Sequence, residues 1–374
     1  MTQSTPIRVG VIGAGYIAAV HGDAAVPIAD DLRIVAVADA NISAAQALAG
    51  RFGWDSAYGD AASMLATEQL DVVIIATWPS THLELIRQCV DAGIRHILCE
   101  KPFVLTGEEA AEVWRLAASS GATITEAFMY RHHPALDRID ALLASRQLGT
   151  IDHVRASFTY VNLASELGID PKDPNRPWRF RADQGGGALY DIGAYAINAC
   201  THVAGGLPVS VSAYGRAENE YGTSDKIMGL IEYDNGVVGI VEASEISDST
   251  QELQISGDHG TLYLPFTWTI YDETEITIRR AVATSHRDQT RIFRTLEDRL
   301  AVPKSNAFRD QLVNVADVAR GFGEPRVSLA ETVANTITME ALAIALVERR
   351  TVPVDIPGDV AAALRSGSLT ASAV

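Results

Sequence analysis

Through the first 130 residues, short runs that are apolar almost throughout alternate with segments whose apolar residues recur at helical spacing. Ile7–Ile12, Leu32–Ala38, Val72–Ala76 and Arg95–Cys99 read as strands. Unbroken apolarity of this kind belongs to strands covered by helices on both faces of a parallel sheet. Thr81–Ala92 reads as a helix stopped by Gly93. Thr106, with Glu109 three residues on, has the spacing of a capping box and opens a helix that runs to Ser120 and stops at Gly121. Strands and helices alternating in this order predict βαβ units.

The pattern changes after about Tyr130. Ile151–Val161 reads as a strand, and Asp170–Arg181, carrying Pro171, Pro174 and Pro177, as a loop. Gly185–Gly187 then precede a helix to about Val203. From Val209 to Arg280 the alternation is strand-like, with Asp234-Asn235-Gly236 between two apolar runs as a hairpin turn. Strands joined by hairpins predict a mostly antiparallel sheet. Two helices follow, Asn306–Phe322 and Ser328–Arg349, the second with a Ser328/Glu331 capping box. The tail Ser366–Val374 is small and polar enough to be loose, and no internal repeat is present. The expected fold is α/β, with a doubly wound parallel sheet in residues 1–130 and a second α/β domain in residues 131–374.

Composition narrows the function. The 374 residues are 47% hydrophobic and 21% charged, ordinary for a globular chain with room for two cores. A formal net charge of −17 and a pI near 4.9 disfavour a nucleic-acid binder and argue weakly against a highly anionic substrate. Cys89, Cys99 and Cys200 form no CxxC pair, so neither a disulfide framework nor a zinc site is expected. His132 and His133 lack a carboxylate or cysteine at ligand spacing, so no metal is expected there either. Met1–Pro6 is polar and Ile7–Ile12 is too short for a signal core or a membrane span. A cytoplasmic protein with no membrane or nucleic-acid partner is the expectation.

Gly13-Ala14-Gly15-Tyr16-Ile17-Ala18 follows an apolar strand and opens a helix, matching the dinucleotide fingerprint with alanine in the third small position. The first glycine allows the tight turn, the second lets backbone approach a pyrophosphate, and the third small residue lets helix and strand pack. Asp39 ends the second strand, where a carboxylate can accept from both adenosine ribose hydroxyls and repel a 2′-phosphate. Ala40-Asn41-Ile42-Ser43 holds no lysine or arginine for such a phosphate, which favours NAD over NADP. An aspartate there can also end a strand or cap the next helix.

Glu100-Lys101-Pro102 follows the strand Arg95–Cys99, at the edge where open parallel sheets bind ligands. The Lys101 ammonium can hold a substrate hydroxyl and stabilise a developing alkoxide, although most lysines are solvated surface residues. In the helix after Gly187, Asp191, Tyr195, Asn198 and His202 fall at i, i+4, i+7 and i+11 beside Ala188, Leu189, Ile192, Ala196 and Ala199. Such a polar stripe is either a satisfied buried network or chemistry, with His202 assigned to structure. Hydride transfer from a carbinol carbon needs the hydroxyl proton removed, and a phenol beside an ammonium ionises nearer neutrality. Tyr195 then takes the proton, Lys101 holds the oxygen, and Asp191 orients substrate or lysine.

Gly13–Ala18, Glu100-Lys101-Pro102, Glu126-Ala127-Phe128-Met129-Tyr130-Arg131 and Gly185–Asn198 together resemble the glucose–fructose oxidoreductase / inositol dehydrogenase (Gfo/Idh/MocA) family over essentially the whole chain. The resemblance implies a Rossmann domain followed by an α/β domain on a large open sheet used for homodimer or homotetramer contacts. It also implies Lys101 as the catalytic lysine and Asp191 as the active-site aspartate. Many inositol dehydrogenase-like members carry histidine four residues after that aspartate. Tyr195 instead resembles the branch of glucose–fructose oxidoreductase, pyranose dehydrogenases and dihydrodiol dehydrogenases. Several members of that branch prefer NADP, from which Asp39 departs.

By the same resemblance Thr77, Pro79 and His82 line the cofactor cleft, although His82 can equally cap or pack the helix it begins; Gly13, Gly15, Tyr16, Ile17, Asp39, Glu100 and Lys101 complete the cofactor set. Arg131, Trp178 and Arg179 border the substrate, where Trp178 can stack on a pyranose and the arginines can bind ring hydroxyls; packing or surface roles fit the same residues. The reading is an NAD-dependent dehydrogenase of a carbohydrate or polyol hydroxyl. The alternatives are a trans-dihydrodiol or other cyclic diol dehydrogenase, or a non-catalytic NAD-sensing regulator of the same fold.

Overall fold

The computed structural model describes residues 5–162, 168–174, 176–248, 251–270, 272–287 and 290–367. They form two compact units. The first takes the chain to His132, residues 182–185 and Asn306–Ile337; the second takes His133–Arg181, Gly186–Ser305 and the chain from Thr338.

The first unit runs β1 (Ile7–Ile12), α1 (Tyr16–Ala25), β2 (Leu32–Ala38), α2 (Ile42–Phe52), β3 (Ser56–Tyr58), α3 (Ala61–Thr67), β4 (Val72–Ile75), α4 (His82–Asp91), β5 (His96–Cys99), α5 (Gly107–Ser120) and β6 (Thr123–Glu126). All six strands are parallel in the order β3-β2-β1-β4-β5-β6. The order reverses between β1 and β4, which opens a crevice at their carboxyl ends. Both halves of the Thr106/Glu109 capping box form, and Gly121 ends α5 at φ 70°. Pro79–Thr81 makes a 3-10 turn before α4. Val9, Val11, Ile34, Val37, Ile74 and Leu98 fill the core, joined by Leu312, Val315 and Ala316. Those three lie on one stripe of the late helix Ala307–Ala319.

The second unit holds α6 (Pro134–Ala144), β7 (Ile151–Thr159), α7 (Ala194–Ala204), β8 (Pro208–Arg216), β9 (Lys226–Tyr233), β10 (Val238–Ser244), β11 (Leu253–Gly257), β12 (Gly260–Leu264), β13 (Thr274–Arg287) and β14 (Thr290–Val302). With the short strand Val352–Pro353 they form a nine-stranded sheet, ordered β14-β13-β12-β11-β7-β10-β9-β8 and then that strand. β7 and β10 pair parallel and every other pairing is antiparallel. The Asp234–Gly236 hairpin forms with Gly236 at φ 86°. α7 covers β7 and β10 closely, since a Cβ on Gly239 would sit 3.1 Å from Cys200 Cβ.

Three expectations change. The helix after Gly187 is not one unbroken α-helix, because a π-helical turn, Leu189–Gly193, precedes α7. β7 ends at Thr159, and Val161 makes only an isolated bridge with Ile246. The strand pattern passes beyond Arg280 into the long β13–β14 hairpin. The expected loose tail lies outside the described residues from 368 onward, while Ser366 ends a helix from Gly358. Leu329–Glu348 is long and apolar enough to cross a membrane, but 72% of its apolar window is buried inside the protein.

Candidate active site

The crevice of the first unit is a cleft of about 730 Å³ lined by Gly13, Ala14, Gly15, Asp39, Asn41, Thr77 and neighbours. Gly13 adopts φ 105°, and a Cβ there would meet the Ala76 carbonyl oxygen at 2.4 Å, so the turn requires glycine. A Cβ on Gly15 would meet nothing within 4 Å, which leaves the space a pyrophosphate needs. Gly15 is also the N-cap of α1 and supplies no side-chain cap, so the first-turn N–H groups are left for an anion. Tyr16 opens α1 with 85% exposure, and the Ile17 side chain packs on the core. Asp39 Oδ2 accepts from Ala14 N–H at 2.8 Å and Oδ1 from Asn41 N–H at 2.7 Å. The residues present fit a dinucleotide.

At the end of β5, Glu100 is buried. Its Oε1 lies 2.8 Å from His21 Nε2, and its Oε2 accepts from the Lys101 N–H at 3.1 Å. This carboxylate fixes the backbone that carries Lys101, and His21, which the sequence reading passed over, fixes the carboxylate. His82 is wholly buried. Its Nδ1 lies 2.7 Å from the Phe103 carbonyl and its Nε2 3.3 Å from that of Thr77. Burial holds its pKa below the usual imidazole range, so a neutral ring donates through Nδ1–H and ties the β4 end to the turn after Lys101. Pro79 is buried at the start of its 3-10 turn. Thr77 lines the cleft and its hydroxyl pairs with that of Thr81 at 2.7 Å.

The second unit gathers Trp178, Arg179, Asp191 and Tyr195. Asp191 is 3% exposed, on the π-helical turn. π-turns of this kind recur at functional sites. Its Oδ2 accepts from Arg179 Nε at 2.7 Å, and the Arg179 guanidinium lies 4.9 Å over the Trp178 ring. Burial opposes the Arg179 charge, but the Asp191 carboxylate outweighs it and holds the guanidinium above its ordinary range. Tyr195 is buried with its ring 5.5 Å from Phe158 and 5.8 Å from Trp268, an aromatic wall that fixes where the phenol points. Trp268 is itself held by a 2.9 Å bond from Nε1 to the Ser157 carbonyl.

Two further residues border Asp191. Burial first, then the Asp191 charge, push the Tyr160 phenol well up. The same two causes, in the same order, raise the Glu245 carboxyl to about 8. Their signal in the sequence was phase. Tyr160 continues the inward positions Val154, Ala156 and Phe158 of β7, and Glu245 continues Val241 and Ala243 of β10.

Arg131 belongs to the first unit. It is 5% exposed, pairs with Glu331, and donates to the Arg326 carbonyl at 3.2 Å. Its guanidinium takes part in a buried brace of the first unit. His202 pairs with Asp140 at 2.7 Å, as its structural assignment required. Among the described residues, no group of three or more His, Cys, Asp or Glu could hold a metal ion. The three cysteines are buried thiols, and burial pushes Cys89 and Cys200 up to about 12.

Residues 7–128 match the Gfo/Idh/MocA oxidoreductase family, NAD-binding Rossmann fold, and residues 136–263 match the C-terminal domain of the same family. D-xylose 1-dehydrogenase (NADP(+)) 2 of Haloferax volcanii is 32% identical over 236 residues, 63% of this chain and 68% of that protein. D-glucoside 3-dehydrogenase of Escherichia coli is 28% identical over 341 residues, 85% of this chain and 92% of the relative. A crystal structure of a 3-ketoreductase from Actinomadura kijaniata with NADP and TDP-benzene superposes with a TM-score of 0.75 at 25% identity, covering 91% of this chain and 98% of that one. The six-stranded parallel sheet, its glycine-turn cleft and the mixed nine-stranded sheet are the architecture of that group, and the chain belongs to the Gfo/Idh/MocA family of oxidoreductases.

Proposed function

We propose that the chain is an NAD-dependent dehydrogenase that transfers hydride between a carbohydrate or polyol hydroxyl carbon and nicotinamide. The observation that carries the cofactor choice is Asp39, held at the cleft by two backbone N–H groups. The described residues lining that cleft include no lysine or arginine to meet a 2′-phosphate. The relatives whose names carry NADP are the reason this choice is tested first. Their names, a D-xylose 1-dehydrogenase and a D-glucoside 3-dehydrogenase, support a sugar hydroxyl as substrate.

Bound in the cleft, nicotinamide supplies the hydride acceptor. Tyr195 takes the hydroxyl proton on its phenol oxygen in the oxidative direction and returns it in the reductive one. Lys101 holds the same oxygen and stabilises the negative charge that builds on it. Asp191, fixed by Arg179, accepts from a substrate hydroxyl and orients the ring. Trp178 offers a face for stacking.

NADH or NADPH formation is followed with free pyranoses, anhydro sugars, alkyl glucosides, inositols and cyclic diols. Turnover with NAD on one sugar class is expected. Lys101→Ala and Tyr195→Phe are each expected to lower kcat/KM by about 10²-fold or more. Preference for NADP would overturn the reading of Asp39. Full activity in either variant would overturn the roles given to Lys101 and Tyr195.

A further inference from the structure

The second sheet carries a buried carboxyl that hydride transfer itself does not use. Glu245 is 2% exposed and follows β10 in phase with Val241 and Ala243, which are fully buried. Its backbone is pinned on both sides. The N–H donates to the Asp225 carbonyl at 2.9 Å, and the carbonyl accepts from Asn162 N–H at 2.8 Å. Its Oε2 accepts from Asn162 Nδ2 at 3.0 Å, while Oε1 has no partner among the described residues. Buried polar atoms in folded proteins are nearly always bonded, and an orphan marks a position that water or a ligand completes.

The groups that face Glu245 are Asp191 and Arg179, Asp225 from the approach to β9, and Tyr160 and Asn162 from the end of β7. Burial and then Asp191 push its acid up, against the Asn162 bond and the Arg179 charge, so that it keeps its proton at neutral pH with an apparent value of about 8. Since Oε2 accepts from Asn162, that proton belongs on Oε1. A neutral carboxyl there both donates and accepts, as a hydroxyl does, whereas an ionised carboxylate can only accept.

We propose that Glu245, held by Asn162, is a substrate-binding residue that reads a ring hydroxyl other than the one oxidised and so sets which polyol is preferred. This rests on the dehydrogenase reading above and specifies its substrate pocket. Oε1–H donates to the second hydroxyl while Asp191, within the same electrostatic field, orients the first.

The test titrates the NADH-saturated chain with D-xylose, D-glucose and the monodeoxy-D-glucoses by calorimetry, and measures kcat/KM with NAD in parallel. Glu245→Met keeps length and neutrality but removes the O–H donor. It is expected to weaken binding about tenfold, to spare kcat, and to show no loss for the one deoxy sugar that lacks the hydroxyl it reads. Wild-type affinity is expected to fall above about pH 8, and that fall is absent in Glu245→Met. The wild-type pH profile tests the proposal even where the variant fails to fold. Equal losses across every deoxy sugar, an unchanged affinity in the variant, a wild-type affinity flat through pH 8 or a wild type that binds none of these sugars would overturn it. Glu245-dependent binding without turnover would keep this inference and remove the redox reading. Turnover indifferent to Glu245 would do the reverse.

Discussion

The two oxygens of Asp39 accept from different parts of the cofactor turn, Oδ2 from Ala14 and Oδ1 from Asn41. One side chain therefore both shapes the loop after β1 and presents a carboxylate to the cleft, where the proposed function sets the ribose. The two tasks separate by substitution. Asp39→Asn keeps an oxygen for one of the amides and removes the charge. It is expected to weaken NADH binding about tenfold and to raise NADPH affinity relative to NADH, measured by fluorescence titration. Asp39→Ala gives up both acceptors and is expected to cost about 1–3 kcal/mol of stability as well. An unchanged ratio of the two affinities in Asp39→Asn would show that the charge does not select the cofactor. The sequence exposed Asp39 because an aspartate after an apolar strand stands out. Glu245 stands equally in phase with its strand and escaped notice, because an acidic residue near a strand end more often faces water.

Among the elements, the turn Met129–His132 is fastened by Arg131, which pairs with Glu331, while Arg326 donates back to the Arg131 carbonyl at 2.9 Å. Arg131→Met leaves the Glu331 charge buried without its partner and is expected to cost about 3–5 kcal/mol in urea unfolding. Arg131→Met/Glu331→Leu is expected to recover most of that and to leave KM for the sugar unchanged. Recovery of less than half would contradict the brace, and a raised KM in a stable double variant would support a substrate role for Arg131. No local pattern could have told brace from binder, because the partner is 200 positions away in sequence. Of the six parallel strands, β1, β2, β4 and β5 were legible for the opposite reason, since burial on both faces makes them nearly continuous apolar runs, whereas the shorter, only partly buried β3 and β6 carry polar residues and were missed. Helix ends were legible at two glycines that take positive φ, Gly93 and Gly121. The π-turn at Leu189–Gly193 was not, because one additional residue hardly disturbs the spacing of a short helix. β14 escaped because its outward positions carry charges that bond across the hairpin, Arg279 with Glu297 at 2.9 Å and Arg299 with Glu275 at 3.3 Å.

For the whole molecule, buried titratable groups give stability two opposing slopes with pH. Burial raises the Glu126 carboxyl well above its ordinary 4.5 and, with the Asp191 charge, brings Glu245 to about 8. These groups hold protons that the unfolded chain has released, so their contribution is full below about 4.5 and is lost as pH rises, for Glu245 toward about 8. Burial first, and then the Arg326 and Arg131 charges, lower His132 from 6.5 to about 3, and burial also lowers His82. Those rings stay neutral where the unfolded chain protonates, so their contribution is full above 6.5 and is lost as pH falls, for His132 toward about 3. Thermal midpoints scanned from acid to alkaline buffer are expected to peak between 4.5 and 6.5. Glu245→Gln is expected to flatten the decline above that peak, and a midpoint that climbs steadily through pH 8 would contradict the assignment. The helix Ala307–Ala319 carries a consequence for the order of manufacture. Its Leu312, Val315 and Ala316 complete the core that Val9 and Val11 begin. On the ribosome the cofactor-binding half is therefore started first and finished late. Its strands emerge long before the residues that close their core exist, and nearly all of a second sheet is synthesised in the interval.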